Sequence, residues 1–216
     1  MLDVDPNHSE WQKSDYALAY LARANSWPHR SEGERMLLEQ IPMNAHRILD
    51  LGTGDGRTMA LVRLKRPNTY GVALDFSEPM IQQAQNRFAE DKQVKIVKHD
   101  LSQPLPKIEL GYFDAIVSSF AIHHLTHKRK RQLYQEVFDM LKTKGVFCNL
   151  EHVSSATNTL HVKFLAQVGK TPETEDKSNK LLDVETQLRW LREIGFGDVD
   201  CCWKWLEFAL LVGVKP

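Results

Sequence analysis

Cysteine is scarce in this chain: three in 216 residues, at Cys148, Cys201 and Cys202. The number is odd, two are adjacent, and none stands at metal-ligand spacing. A disulfide framework and a structural metal are therefore not expected, and a reducing compartment fits. Charge of one sign is also lacking, with 28 Lys plus Arg against 28 Asp plus Glu, so nothing global points to a polyanionic partner. The local exception, His127-Lys128-Arg129-Lys130-Arg131, reads as a solvated helix start because apolar residues at helical spacing follow it. No apolar run reaches the length of a membrane span; the best, Phe208 to Val214, is strand-like. The opening Met1-Leu2-Asp3-Val4-Asp5-Pro6 is polar and acidic and has no signal-peptide pattern. Internal repeats and low-complexity tracts are absent. With 42% hydrophobic and 26% charged residues, the expectation is a cytoplasmic globular protein with one sizeable core.

Against these absences stands one organised stretch, Arg47-Ile48-Leu49-Asp50-Leu51-Gly52-Thr53-Gly54-Asp55-Gly56-Arg57-Thr58. A short apolar strand runs into glycines two apart, and a helix follows. Glycine opens backbone angles closed to other residues and lets a ligand press on the main chain. The helix start behind it offers unpaired N–H groups and a positive dipole end. Such a turn at the carboxyl end of a strand is a nucleotide-type crevice. A dinucleotide fingerprint needs its third glycine three places after the second. Here it comes two places on, at Gly56, which argues against a nicotinamide dehydrogenase.

Strands and helices then alternate. Tyr70 to Asp75 is a strand closing on a carboxylate, and Asp75 follows Gly56 by the interval at which nucleotide folds place an acid for ribose hydroxyls. Ser77 is the expected cap of a helix with Pro79 in its first turn and Ile81, Ala84 and Phe88 on one face. Val94 to Val97 leads to His99-Asp100-Leu101. A buried strand through Ile116 and Val117 ends at Ser118-Ser119, before a loop with His123 and His124. The next helix carries Leu133, Val137 and Met140 and ends near Lys142 to Gly145, and the strand from Val146 delivers Glu151-His152 to the same sheet edge. Leu160, Phe164 and Leu165 suggest a short helix, and Thr171 to Ser178 reads as a polar loop. Asp183 caps a helix that Gly195 stops. Val199–Trp203 and Leu206–Val212 are too close for a crossover and form an antiparallel hairpin. Ahead of the first strand, Trp11, Tyr16, Leu18 and Leu21, then Met36, Leu37 and Ile41, predict two helices broken near Pro28. These are free to act as a lid or simply to pack on the sheet.

In order, these motifs resemble those of the class I S-adenosylmethionine (SAM)-dependent methyltransferases, with a ubiquinone/menaquinone-methyltransferase-like set. The resemblance implies an α/β fold: a doubly wound, Rossmann-like, seven-stranded, mostly parallel sheet with a C-terminal antiparallel hairpin and an N-terminal helical lid. Residues 1–43 are the expected helical cap and 44–216 the methyltransferase domain. It further implies that Asp50, Gly52, Thr53, Gly54, Asp55 and Gly56 hold the methionine part of SAM, and that Asp75 takes the ribose. Phe76 or Met80 would lie against adenine, with Asp100 on the adenine amino group and the Leu101 backbone on a ring nitrogen. Ser118 and Ser119 would lie near the reactive end. Arg30 could reach the methionine carboxylate, or form a surface ion pair.

Methyl transfer from a sulfonium needs positioning more than covalent help, so the absence of a nucleophilic Ser or Cys constellation is compatible with it. A base is needed only where the acceptor is protonated. His123, His124, Glu151 and His152 are the candidates, histidine being suited to proton removal near neutrality. No metal is expected. The expected acceptor is a small molecule, with SAM as cofactor and S-adenosylhomocysteine as product. Nucleic acid and membrane are not expected partners. A tRNA or protein methyltransferase, and a non-catalytic SAM-binding partner protein, are the alternatives. The acceptor and the oligomeric state are not readable.

Overall fold

The computed structural model describes residues 27–216. The first expected helix, with Trp11, Tyr16, Leu18 and Leu21, lies outside them. The described chain opens into α1 (Arg30–Gln40), β1 (Arg47–Leu51), α2 (Arg57–Lys65), β2 (Tyr70–Asp75), α3 (Glu78–Arg87) and β3 (Val94–Lys98). It continues through α4 (Lys107–Leu110), β4 (Phe113–Ser119), α5 (His127–Met140), β5 (Leu141–His152) and α6 (Asn158–Gln167). It closes with α7 (Val184–Ile194), β6 (Gly197–Trp205) and β7 (Phe208–Val214). The seven strands form one sheet in the order β3-β2-β1-β4-β5-β7-β6. The first five are parallel to their neighbours, and β7 runs antiparallel between β5 and β6. Strand order reverses at β1, between β2 and β4, which is where a doubly wound sheet leaves a crevice at its carboxyl edge.

The central strands read as apolar on both sides because both faces are covered. Alternation divides each strand between two cores. Ile48, Ala115, Val117, Cys148 and Leu150 join one core; Leu49, Leu51, Ile116 and Phe147 join the other. Helix α1 belongs to the first core, burying Leu37, Leu38 and Ile41. Its Gly33 is required by close approach, since a Cβ there would sit 2.8 Å from the Trp203 ring and 2.9 Å from Leu150. Trp203 and Trp205 pack against this same core, consistent with the packing role of a shared face.

Several local readings hold in the structure. The Asp183 carboxylate accepts from the Thr186 amide at 2.7 Å, and Gly195 ends α7 in the left-handed region at φ 116°. Ser77 differs: it stands at the cap position of α3 but its side chain makes no capping bond, and its own amide donates to Asp75 at 2.9 Å. Helix α5 also ends earlier than its lysines and Gly145 suggest. It stops at Met140, and β5 begins at once at Leu141, because pairing with Phe113 of β4 extends the strand back past the glycine.

Candidate active site

The carboxyl ends of β1, β2, β4 and β5 converge on one edge, in two adjoining parts. The first is the glycine turn. Gly52 has φ 67°, and a Cβ on it would lie 2.3 Å from that of Ala121, so the loop after β4 rests directly on the turn. Gly54 has φ 58° and faces open space, its nearest neighbour to an added Cβ being the Met80 sulphur at 4.0 Å. Beneath it, Asp75 accepts from the Gly54 amide at 2.8 Å on one oxygen and from the Ser77 amide at 2.9 Å on the other. With the Phe76 amide as a third donor, the carboxylate keeps acceptor capacity for a further one. Burial pushes this carboxyl above its ordinary value, against the amides of Ser77, Gly54 and Phe76.

Asp50 is also buried. One of its oxygens takes the Thr53 hydroxyl at 2.6 Å, and the other has no hydrogen-bond partner. Burial, reinforced by the charges of Asp75 and Asp55, pushes it up to about 7. Open space over Gly54, an under-used Asp75 and an orphaned carboxylate oxygen together fit a ligand bearing hydroxyl and ammonium donors. Phe76 is half-buried and Met80 buried. Asp100 takes the Ser102 amide at 2.8 Å, and the Leu101 carbonyl takes Arg129 Nε at 2.8 Å.

Other expected cofactor residues have structural partners. Asp55 pairs with Arg87 at the end of α3 and accepts from the Arg57 amide at 3.2 Å. Ser118 is fully buried and donates to the Leu51 carbonyl at 2.9 Å, tying β4 to β1. The Ser119 hydroxyl is buried without a partner. Arg30 donates from Nε to Glu34 at 2.9 Å, and Arg57 binds the same carboxylate at 2.7 and 2.8 Å. Arg30 also lies over the Phe120 ring, 5.6 Å from its centre. Glu34 thus clamps α1 to the helix that starts the glycine crevice.

The second part begins where Phe120 turns the chain. Its φ of 53° is left-handed, costly for an aromatic residue, and is held by its amide on the Leu150 carbonyl at 2.8 Å. A short 3₁₀ turn, Ile122–His124, then sets two histidines on the edge. His123 Nδ1 lies 2.6 Å from Glu151 Oε1, which also accepts the His152 amide at 2.9 Å; Glu151 Oε2 is buried without a partner. Burial pushes Glu151 up to about 7 and pushes His123 well below the ordinary histidine value, so near neutrality the pair shares one proton. His124 Nδ1 lies 2.8 Å from the Ser178 hydroxyl, which donates to Asp176 at 2.7 Å. The hydroxyl's single proton goes to Asp176, so His124 carries its own proton on Nδ1.

His152 Nε2 faces Glu207 at 3.0 Å, and the His123 and His152 rings stand 5.5 Å apart, so these two expected base candidates share one site. Glu207, His161, Glu175 and Ser178 belong to it as well and were not foreseen. A glutamate in a hairpin turn and a polar loop both read as solvated surface, and no spacing signals otherwise. Among the described residues, no group of three or more His, Cys, Asp or Glu is arranged to hold a metal ion.

The titration of Glu151 has a measurable consequence. Its folded value of about 7 exceeds the ordinary 4.5, so folding retains a proton that the unfolded chain releases. The associated stability is complete below pH 4.5 and is lost as pH rises through 7. Between pH 5 and 8 the protein should lose on the order of 3 kcal/mol more than Glu151→Gln, which cannot titrate there. Asp50 acts in the same direction but is common to both proteins. Thermal unfolding at the two pH values checks the difference.

The fold, strand order and glycine crevice define a nucleotide-binding, doubly wound α/β protein. Comparison with known proteins agrees. A model of the methyltransferase domain matches residues 48–145. A demethylmenaquinone methyltransferase of Clavibacter sepedonicus is 30% identical over 175 residues, covering 74% of this chain and 69% of that protein. A carboxy-S-adenosyl-L-methionine synthase of Nautilia profundicola is 22% identical over 194 residues, 83% of this chain and 81% of the relative. Human N-acetylserotonin methyltransferase, solved with SAM, shares the fold at TM-score 0.71 and 15% identity over 100% of this chain; the chain spans 60% of that structure. The chain belongs to the class I SAM-dependent methyltransferases, and SAM is its cofactor. No helix among the described residues is long and apolar enough to cross a membrane.

Proposed function

We propose that this enzyme methylates a small-molecule acceptor through an ionisable hydroxyl, with His123 as the proton acceptor and Glu151 as the group that orients it. The observation that carries this reading is the buried 2.6 Å contact between His123 Nδ1 and Glu151. Bound SAM supplies an electrophilic methyl group and departs as S-adenosylhomocysteine. The residues proposed to hold it are Gly52, Gly54, Asp50 and Thr53 at the methionine part, Asp75 at the ribose, and Phe76, Met80, Asp100 and Leu101 around adenine. With Glu151 ionised, His123 donates its Nδ1 proton to the carboxylate and presents Nε2 as a lone pair. The acceptor proton passes to Nε2, and the imidazolium so formed is stabilised by Glu151. Desolvation of both partners keeps water from competing at that nitrogen.

A tRNA acceptor is disfavoured by the fate of the basic run. Arg129 is buried against Glu136, and Lys130 is buried with its ammonium on the Lys180 carbonyl. His127 bonds the Leu181 carbonyl at 3.1 Å and Arg131 pairs with Glu193 at 2.8 Å. His127, Lys128 and Arg131 line a groove of about 540 Å³ between α5 and α7, in which Trp190 and Glu193 also take part. With Arg129 and Lys130 buried and Arg131 paired with Glu193, the run offers little of the free positive charge that phosphate binding uses.

The reading is tested by incubating the enzyme with methyl-labelled SAM and a panel of phenols, enols, amines and bulk tRNA. Label should enter hydroxyl acceptors, with a rate that rises with pH through about 7 as the His123–Glu151 pair gives up its shared proton. Transfer confined to tRNA or to amines would refute it.

A further inference from the structure

Behind His152 lies a chain of alternating acids and imidazoles that the transfer step above does not use. Glu207 is completely buried in the turn between β6 and β7. Its Oε2 faces His152 Nε2 at 3.0 Å, and its Oε1 faces His161 Nδ1 at 2.9 Å. The other nitrogen of His161, on the first turn of α6, faces Glu175 Oε2 at 3.1 Å. A ring nitrogen against a carboxylate oxygen must bring a proton. His161 faces carboxylates with both nitrogens, so it is an imidazolium unless one acid is protonated. Burial works against that charge, but Glu207 and Glu175 outweigh it and hold His161 above the ordinary histidine value. Burial likewise opposes ionisation of Glu207, and hydrogen bonds from His152, Ser155 and His161 outweigh it. The chain is thus a buried carboxylate with its own counter-cation. Its one orienting bond toward the site goes to His152.

We propose that Glu207 is a positioning residue of the acceptor site: it fixes His152 as the Nε2–H tautomer, so that Nδ1 faces the acceptor as a lone pair beside His123, while His161, braced by Glu175, supplies the charge that keeps Glu207 in place. The acceptor class this selects carries a second hydrogen-bond donor near the hydroxyl that is methylated. This rests on the hydroxyl-methylation reading for its acceptor, but the tautomer and the charge do not.

The test is Glu207→Gln in the full chain. A glutamate offers two acceptor oxygens, one to each histidine; glutamine offers one oxygen and one NH₂. One histidine must then present a lone pair where it now presents a proton. Long-range ¹H–¹⁵N spectra of the histidine rings, recorded against pH, report each tautomer and each titration. In the native protein neutral His152 should read as Nε2–H, and His161 should hold both ring protons to higher pH than an ordinary histidine. In the variant either His152 should change tautomer or His161 should titrate at lower pH than in the native protein. Unchanged His152 and His161 signals in a variant with native near-ultraviolet circular dichroism would overturn the assignment. With any hydroxyl acceptor that the native enzyme methylates, the acceptor KM should rise about tenfold, the equivalent of one lost hydrogen bond, while that for SAM holds. An unmoved acceptor KM would overturn the positioning role. Should no hydroxyl compound be methylated at all, the hydroxyl-methylation reading fails, and the ring spectra still decide on Glu207.

Discussion

His123→Ala is expected to lower kcat for a hydroxyl acceptor by about 10²–10⁴-fold, the range that a positioned general base contributes. The expectation rests on three properties of the residue. Its ring is buried, Nδ1 is committed to Glu151 at 2.6 Å, and the loop that carries it is clamped between Phe120 and the 171–182 segment, whose Lys180 amide donates to the His123 carbonyl at 2.9 Å. A base so fixed loses little entropy when it acts. The glycine crevice does not depend on this side chain, so affinity for S-adenosylhomocysteine should stay within a few-fold of native. Glu151→Gln should fall between native and His123→Ala, because glutamine can still accept the Nδ1 proton but cannot stabilise an imidazolium. Measured kcat at pH 8 for the three proteins gives the order directly. Equal rates for native and His123→Ala would remove the base from the account.

Asp75→Ala is expected to weaken S-adenosylhomocysteine binding about a hundredfold by calorimetric titration. A hydrogen bond from a ribose hydroxyl to a carboxylate would account for roughly 1.5–3 kcal/mol, and water regaining the vacated space offsets part of that. A second contribution comes from the turn itself. Asp75 holds the Gly54 amide at 2.8 Å and the Ser77 amide at 2.9 Å, so its loss frees the glycine segment and the start of α3 together. Asp75→Asn separates the two effects. It keeps one acceptor oxygen but turns an NH₂ toward a backbone donor, and should bind more weakly than native and more tightly than the alanine variant.

The cofactor half was legible in the sequence for a physical reason. At Gly52 a positive φ coincides with the close approach of Ala121, which leaves room for glycine alone, and the acid proposed for the ribose stands at the end of the next strand, so backbone necessity writes itself into residue identity and spacing. The alternation of strands with helices from β1 to β5 made the doubly wound parallel sheet legible as well. The proposed acceptor half was legible only next to a strand end, at His123 and Glu151–His152. Glu207, His161 and Glu175 come from a hairpin turn, a helix start and a loop, and meet only after β7 has paired with β5. Ser118 shows the converse. Its position at a strand end looks like a ligand contact, yet its hydroxyl is the bond that joins β4 to β1. Asp55, within the glycine turn, likewise has a structural partner in Arg87.

A crystal structure with S-adenosylhomocysteine tests most directly whether the glycine crevice and the histidine edge are one reaction site. The account predicts ribose hydroxyls on Asp75 and the sulphur turned toward His123 Nε2. The space between should let an acceptor oxygen lie about 3 Å from each reacting partner. A sulphur facing away from the 122–124 turn, or shut off from His123 by protein atoms, would contradict it.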